Sequence, residues 1–123
     1  MPSVLVVDDD HQVCQLIRDI LEQAGYAVEE AHDGKEGVNR YRANQATVVL
    51  MDLIMPNQDG LESIRILRRE FPAARVIAMT EGNNLGDSMK FLKIATLLGA
   101  CRILVKPFEL TALLDAVAAE APV

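Results

Sequence analysis

Four runs of apolar residues along the chain each stop at a polar residue. Val4-Leu5-Val6-Val7 runs into Asp8 and Asp9, Val48-Val49-Leu50-Met51 into Asp52, Val76-Ile77-Ala78-Met79 into Thr80, and Ile103-Leu104-Val105 into Lys106. Short runs rich in Val, Ile and Leu, without polar alternation, read as strands of a parallel sheet covered on both faces. The segments between them carry helical spacing instead. Val13, Leu16, Ile17, Ile20, Leu21 and Ala24 share one stripe, and Gly25 follows as a stop signal. Tyr26 to Ala31 is short and ends near Glu29 and Glu30, which predicts a less buried edge strand. Asp33 and Glu36 are spaced as a capping box for a helix through Val38 and Tyr41. Leu61, Ile64, Leu67 and Phe71 predict a third helix that begins after the Pro56, Asn57, Gly60 turn and stops at Pro72. A fourth helix spans about 87 to 98, and Leu110, Leu113, Leu114, Val117 and Ala118 mark the last.

Five strand-helix repeats with short connections predict an α/β fold, a doubly wound three-layer sandwich, because crossovers between parallel strands are almost always right-handed. At 123 residues the chain fits one domain over 1–123. In such sheets ligands bind beyond the carboxyl ends of the strands. The four polar stops should therefore meet in space.

Composition narrows the chemistry. Only 4% of the residues are aromatic, so the core is aliphatic. The net charge of -6 argues against direct nucleic-acid binding, since nothing would neutralise a phosphate backbone. Cys14 and Cys101 lack metal-ligand spacing and are expected to be small buried thiols in a reducing compartment. No apolar stretch approaches the ~20 residues that span a bilayer, and no signal-peptide pattern opens the chain, so a cytoplasmic protein without a membrane partner is expected.

Asp8, Asp9 and Asp52 form the expected acid cluster, while Asp10 is expected to cap the first helix. Two carboxylates ~4 Å apart repel by about 4 kcal/mol at an effective dielectric of ~20. The cluster should recruit a cation, and oxygen-only ligands select Mg2+ or Mn2+ over zinc. Lys106 supplies the opposite charge; the proline after it permits a cis peptide at small cost. Thr80 adds a hydroxyl. Together these describe a nucleophilic carboxylate, a metal and two groups able to hold phosphoryl oxygens. His11 and His32 read as solvated histidines, and Met51, Met55, Met79 and Met89 as core fillers.

The segments Val6-Val7-Asp8-Asp9-Asp10, Met51-Asp52-Leu53-Ile54-Met55-Pro56 with Asp59-Gly60, Thr80, and Lys106-Pro107-Phe108 resemble the receiver domain of bacterial two-component response regulators over the whole chain. The resemblance implies a flavodoxin-like strand order 2-1-3-4-5, one of the common doubly wound arrangements. It implies that Asp52 is the phosphoacceptor, attacking the phosphohistidine of a sensor histidine kinase or phosphotransfer protein. Asp9, Asp52 and the backbone carbonyl of Ile54 would ligate magnesium, with Asp8 acting mainly through water. Lys106 would pair with the phosphoryl group and Thr80 would rotate to hydrogen-bond it. The domain would signal rather than turn over a substrate, assisting its own phosphorylation and dephosphorylation. Homodimer, output-domain or other partner contacts would use the fourth helix, fifth strand and fifth helix.

Three departures from that pattern are visible. Ile103 replaces the usual aromatic of the fifth strand, and the loop 81–86 is a few residues longer and predicted to be mobile. Neither Ile54 nor Gly82 carries an acid or amide to orient a water, which predicts a comparatively long-lived phosphoryl group. Three other functions fit less well. A haloacid-dehalogenase-like phosphatase would use Asp8 and Asp10, but Gln12 departs from its motif and Asp52 is left unexplained. A flavin-binding reading places three acids where a phosphate must be cradled. A receiver-like interaction module that takes no phosphate would not need the full acid, Thr and Lys set.

Overall fold

The helix starts and stops in this chain are set by single side chains. In the computed structural model, which describes residues 2–53, 55, 60–81 and 85–121 (81, 85–88, 91 and 92 as backbone only), Asp10 accepts from the N–H groups of Gln12 (2.9 Å) and Val13 (3.3 Å). It thereby opens α1 (His11–Gln23), as a short acceptor should at an N-terminus with unpaired donors. Asp33 does the same for α2 (Gly34–Ala43), accepting from Glu36 at 2.8 Å. Gly25 follows α1 at φ 100°, a backbone conformation that costs a glycine little and a side-chain-bearing residue much. The remaining elements are β1 (Ser3–Val7), β2 (Ala27–Ala31), β3 (Val48–Asp52), α3 (Gly60–Glu70), β4 (Val76–Glu81), α4 (Leu85–Leu98), β5 (Arg102–Lys106) and α5 (Leu110–Glu120).

The five strands are all parallel and lie in the order β2-β1-β3-β4-β5, so the flavodoxin-like topology is observed. Successive strand residues serve opposite layers, as the two-residue period of a strand requires. Leu5, Val7, Val49, Met51, Val76 and Ala78 enter one core, under α2, α3 and α4. Val4, Val6, Val48, Leu50, Ile77 and Met79 enter the other, against α1 and α5. Each of these side chains is at most 1% exposed, which is why their runs show no polar alternation. β2 is an edge, as its sequence suggested, and β5 is the other: only Leu104 and Lys106 of β5 point inward.

Several sequence expectations need correction. On α1 the residues facing the sheet are Cys14, Ile17 and Leu21, while Leu16 is 59% exposed, so the stripe is rotated by about one position. Leu16 and Leu110, the latter also outside its expected core stripe, instead rim a groove between α1 and α5. Met89 is exposed rather than buried, and with Leu97 and Ile103 it lines an open groove on the α4 and β5 face. Cys14 is buried, but Cys101 is exposed. The Lys106–Pro107 peptide is cis. Of the predicted mobile loop 81–86, Glu81 closes β4 and Leu85 and Gly86 open α4, while residues 82–84, with Gly82, lie outside those described.

The end of α5 is tied to the residue before β4 and to the start of β5 by Glu120, which accepts from Arg75 at 2.8 Å and Arg102 at 3.1 Å. Burial alone would raise its carboxyl, but the two guanidiniums outweigh it and hold the group below its ordinary value of 4.5. A carboxyl depressed in the folded state contributes stability that is complete above its unfolded value and lost as pH falls through the folded one. Acid titration by circular dichroism should therefore show Glu120→Gln less stable than wild type at pH 7 by on the order of 1 kcal/mol, since both arginines are half exposed, with the gap closing below pH 4.5.

Candidate functional site

Register brings the polar stops to one end of the sheet. Val7 lies beside Met51, so Asp8 and Asp52 each stand one step further along neighbouring strands. Asp52 in turn lies beside Met79, the residue before Thr80, and Lys106 pairs in register with Glu81. Asp8, Asp52, Thr80 and Lys106 are all buried at this end, at 1, 7, 2 and 8% exposure, whereas Asp9 faces solvent. Buried charges are costly unless paired, and here Lys106 pairs with both Asp8 and Asp52.

Asp8 is fixed from four sides. Its N–H donates to the Ala31 carbonyl (3.0 Å), which extends the β1 and β2 ladder by one residue. One carboxylate oxygen accepts from the Asp10 N–H at 3.0 Å, and the other takes the Lys106 ammonium at 2.5 Å. The Cys14 thiol donates to its carbonyl at 3.3 Å. Burial, followed by the charges of Asp8 and Glu30, pushes the Cys14 thiol up to about 12, so it stands here as a neutral donor. Lys106 also reaches Asp52, with Nζ 3.5 Å from Oδ2. The ammonium thus bridges two acids, whereas the resemblance had assigned it to the phosphoryl group alone.

One carboxylate oxygen from each of Asp8, Asp9 and Asp52 lies within 4.8 Å of the other two. Cis and trans ligand oxygens of an octahedral ion at ~2.1 Å are about 3 and 4 Å apart, so the set fits magnesium or manganese with little movement. Three carboxylates outnumber the one lysine, the donors are all hard oxygens, and exposed Asp9 leaves an open side for a hydrated ion. The remaining expected ligand, the Ile54 carbonyl, lies outside the described residues. Asp10 is occupied as the α1 cap, which removes the second acid of the D-x-D phosphatase reading.

Two functional residues escaped the sequence reading. Cys14 was expected only to fill space, yet its thiol holds the carbonyl of Asp8. Gly60 was read as a turn residue, but the first turn of α3 rests on the end of β3. Its N–H donates to the Leu53 carbonyl at 3.1 Å, and a Cβ there would lie 2.0 Å from the backbone oxygen of Asp52. The Asp-Gly pair ahead of an apolar stripe was the available signal.

Fold and site together define a doubly wound domain whose strand ends gather three carboxylates around a buried ammonium. The chain belongs to the response regulator receiver domain family, whose sequence profile matches residues 4–118. It is 37% identical over 118 residues to Protein CcdB of Bacillus subtilis (strain 168), covering 95% of both chains. It is 33% identical over 115 residues to the chemotaxis protein CheY of Halobacterium salinarum, covering 94% of this chain and 92% of that one. The solved structure of Vibrio cholerae chemotaxis protein CheY4 superposes with a TM-score of 0.85 at 28% identity, covering 98% of each. Receivers of this family act in two-component signalling by accepting a phosphoryl group on an aspartate from histidine kinases, and they bind magnesium at an acidic pocket.

Proposed function

We propose that residues 1–123 act as one receiver domain in which Asp52 is the phosphoacceptor. The observation that carries this is the position of the Asp52 carboxylate, at the carboxyl end of β3, 3.5 Å from the Lys106 ammonium and within 4.8 Å of the two other acids. An Asp52 oxygen attacks the phosphorus of a phosphohistidine on a partner kinase or phosphotransfer protein; the O–P bond forms as the P–N bond breaks, and the nitrogen lone pair returns to the imidazole. Asp8, Asp9 and Asp52, with Ile54, hold the divalent cation, which when bound offsets charge on the phosphoryl oxygens. Lys106 orients Asp52 and meets a phosphoryl oxygen, and Thr80 donates its hydroxyl to another. The gain of a partner by Thr80 favours one arrangement of the loops after β4 and β5. The exposed Met89, Leu97 and Ile103 then form part of the surface read by an output domain or a second copy. Ile103 points outward, so switching here does not use a swinging aromatic. We place the domain in the cytoplasm with its kinase; among the described residues no helix is long and apolar enough to cross a membrane.

The test is mass spectrometry of the chain after acetyl phosphate with magnesium. A single phosphoryl adduct that hydroxylamine removes, as it does an acyl phosphate, supports the reading; no adduct, or one that hydroxylamine leaves in place, defeats it. Lys106 gives a second measurement. Lys106→Ala strips a 1% exposed carboxylate of its ammonium, and breaking a buried pair costs about 3 kcal/mol or more. Urea denaturation in chelator should show that loss, and magnesium should restore part of it by supplying the missing positive charge.

A further inference from the structure

Beside the acidic mouth, on the β2 side, the fold assembles a different set of donors. The Cys14 sulfur, a Glu30 carboxylate oxygen and a His32 ring nitrogen all lie within 4.8 Å of one another. We infer that Cys14, Glu30 and His32 form a second cation site, distinct from the carboxylate cluster and suited to a thiophilic divalent ion of the zinc type.

Ligand chemistry separates the two sites. Thiolate, imidazole and carboxylate together are the donor set of zinc, whereas the mouth offers oxygens only. Geometry agrees. His32 Nε2 and Glu30 Oε1 are 3.4 Å apart, and two ligands of a tetrahedral ion at ~2.05 Å are separated by about 3.3 Å. Each donor is also held in place. Arg18 binds the other Glu30 oxygen at 2.8 Å, which leaves Oε1 turned to His32. The His32 Nδ1 faces Glu36 at 3.9 Å, the side on which a metal-binding imidazole commonly meets a carboxylate. His11 stacks on the His32 ring, centroids 3.8 Å apart and planes 9° from parallel. A ring stacked in this way cannot aim its in-plane lone pair at an ion held by its neighbour, so His11 orients His32 and water supplies the fourth ligand.

The surrounding charges favour a dication. Once it gives up the proton that it donates to Asp8, the Cys14 sulfur and the Glu30 carboxylate bring two negative charges to the ion, against the single Arg18 guanidinium on the outer Glu30 oxygen. Coordination releases that proton to solvent and ends the thiol's hydrogen bond to the Asp8 carbonyl, so occupancy of this site is felt at the acidic mouth.

Cobalt(II), then zinc, titrated into the full chain in saturating magnesium, distinguishes the sites. Wild type should bind one cobalt with a thiolate-to-metal charge-transfer band that zinc abolishes by displacement. Cys14→Ser should lose the band, and Cys101→Ser and Asp52→Asn should keep it. The half-exposed His32 can be changed without disturbing the core, and His32→Ala should weaken cobalt binding by at least about tenfold. No band in wild type, a band that survives Cys14→Ser, or one that disappears with Asp52→Asn overturns the inference.

Discussion

Asp52→Asn is expected to eliminate the phosphoryl adduct formed with acetyl phosphate and magnesium while leaving the domain folded. The amide has nearly the shape of the carboxylate but no anionic oxygen with which to attack phosphorus. None of the neighbouring acids can substitute for it. Asp8 is 1% exposed and committed to Lys106, Asp9 lies at the solvent side, and Asp10 is the cap of α1. Stability should move in the opposite direction to activity. The wild-type mouth holds three carboxylates against one ammonium, and a pair of them ~4 Å apart is worth about 4 kcal/mol of repulsion at an effective dielectric of ~20. Removing one charge relieves part of this while Lys106 keeps Asp8 at 2.5 Å. In chelator the variant should therefore unfold at equal or higher urea than wild type. Magnesium at a hundredfold its dissociation constant stabilises a binding-competent fold by about 2.7 kcal/mol, and that gain should shrink in the variant. An adduct of unchanged yield on Asp52→Asn would remove this residue from the reaction.

What the sequence made legible is what strands impose. Apolar runs of fixed length place their terminal residues at one end of a parallel sheet whatever the order of the strands, so Asp8, Asp52, Thr80 and Lys106 could be brought together before any coordinates. The strand order itself came from the resemblance, because the apolar runs of β1, β3 and β4 are equally buried and would fit several central positions. Helix rotation was read less well. Leu16 and Leu110 belong to plausible stripes, yet each lies on the flank of its helix, and a periodicity of 3.6 residues does not say which edge of a wide stripe meets the sheet. The partners of charged groups were the least legible. Nothing in the spacing of Lys106 from Asp8, 98 residues apart, indicates that the lysine bridges two acids. Nor does a lone Cys14 announce a hydrogen bond to a backbone carbonyl six positions earlier.

Gly60→Ala should cost both stability and phosphorylation, because the added methyl has nowhere to go. Its Cβ would lie 2.0 Å from the Asp52 carbonyl oxygen, 2.6 Å from the Leu53 Cα and 2.8 Å from the Asp52 carbonyl carbon. All three are backbone atoms of the segment that carries the acceptor, so no side chain can rotate aside. Either the first turn of α3 lifts off β3, breaking the Gly60 N–H to Leu53 carbonyl bond, or the end of β3 shifts. Overpacking of this kind costs about 3 kcal/mol. A displacement of about 1 Å at a reacting group lowers rates by roughly a hundredfold, so phosphorylation by acetyl phosphate should fall by that order at protein concentrations where the variant is still folded. Gly37→Ala is the matched control. The nearest atoms to its Cβ would be Val7 side-chain carbons, the first at 2.8 Å, in the opposite part of the core from Lys106. That variant should lose stability by a comparable or smaller amount and phosphorylate at the wild-type rate. Equal rates for Gly60→Ala and Gly37→Ala would show that the contact between α3 and the Asp52 carbonyl does not position the acceptor.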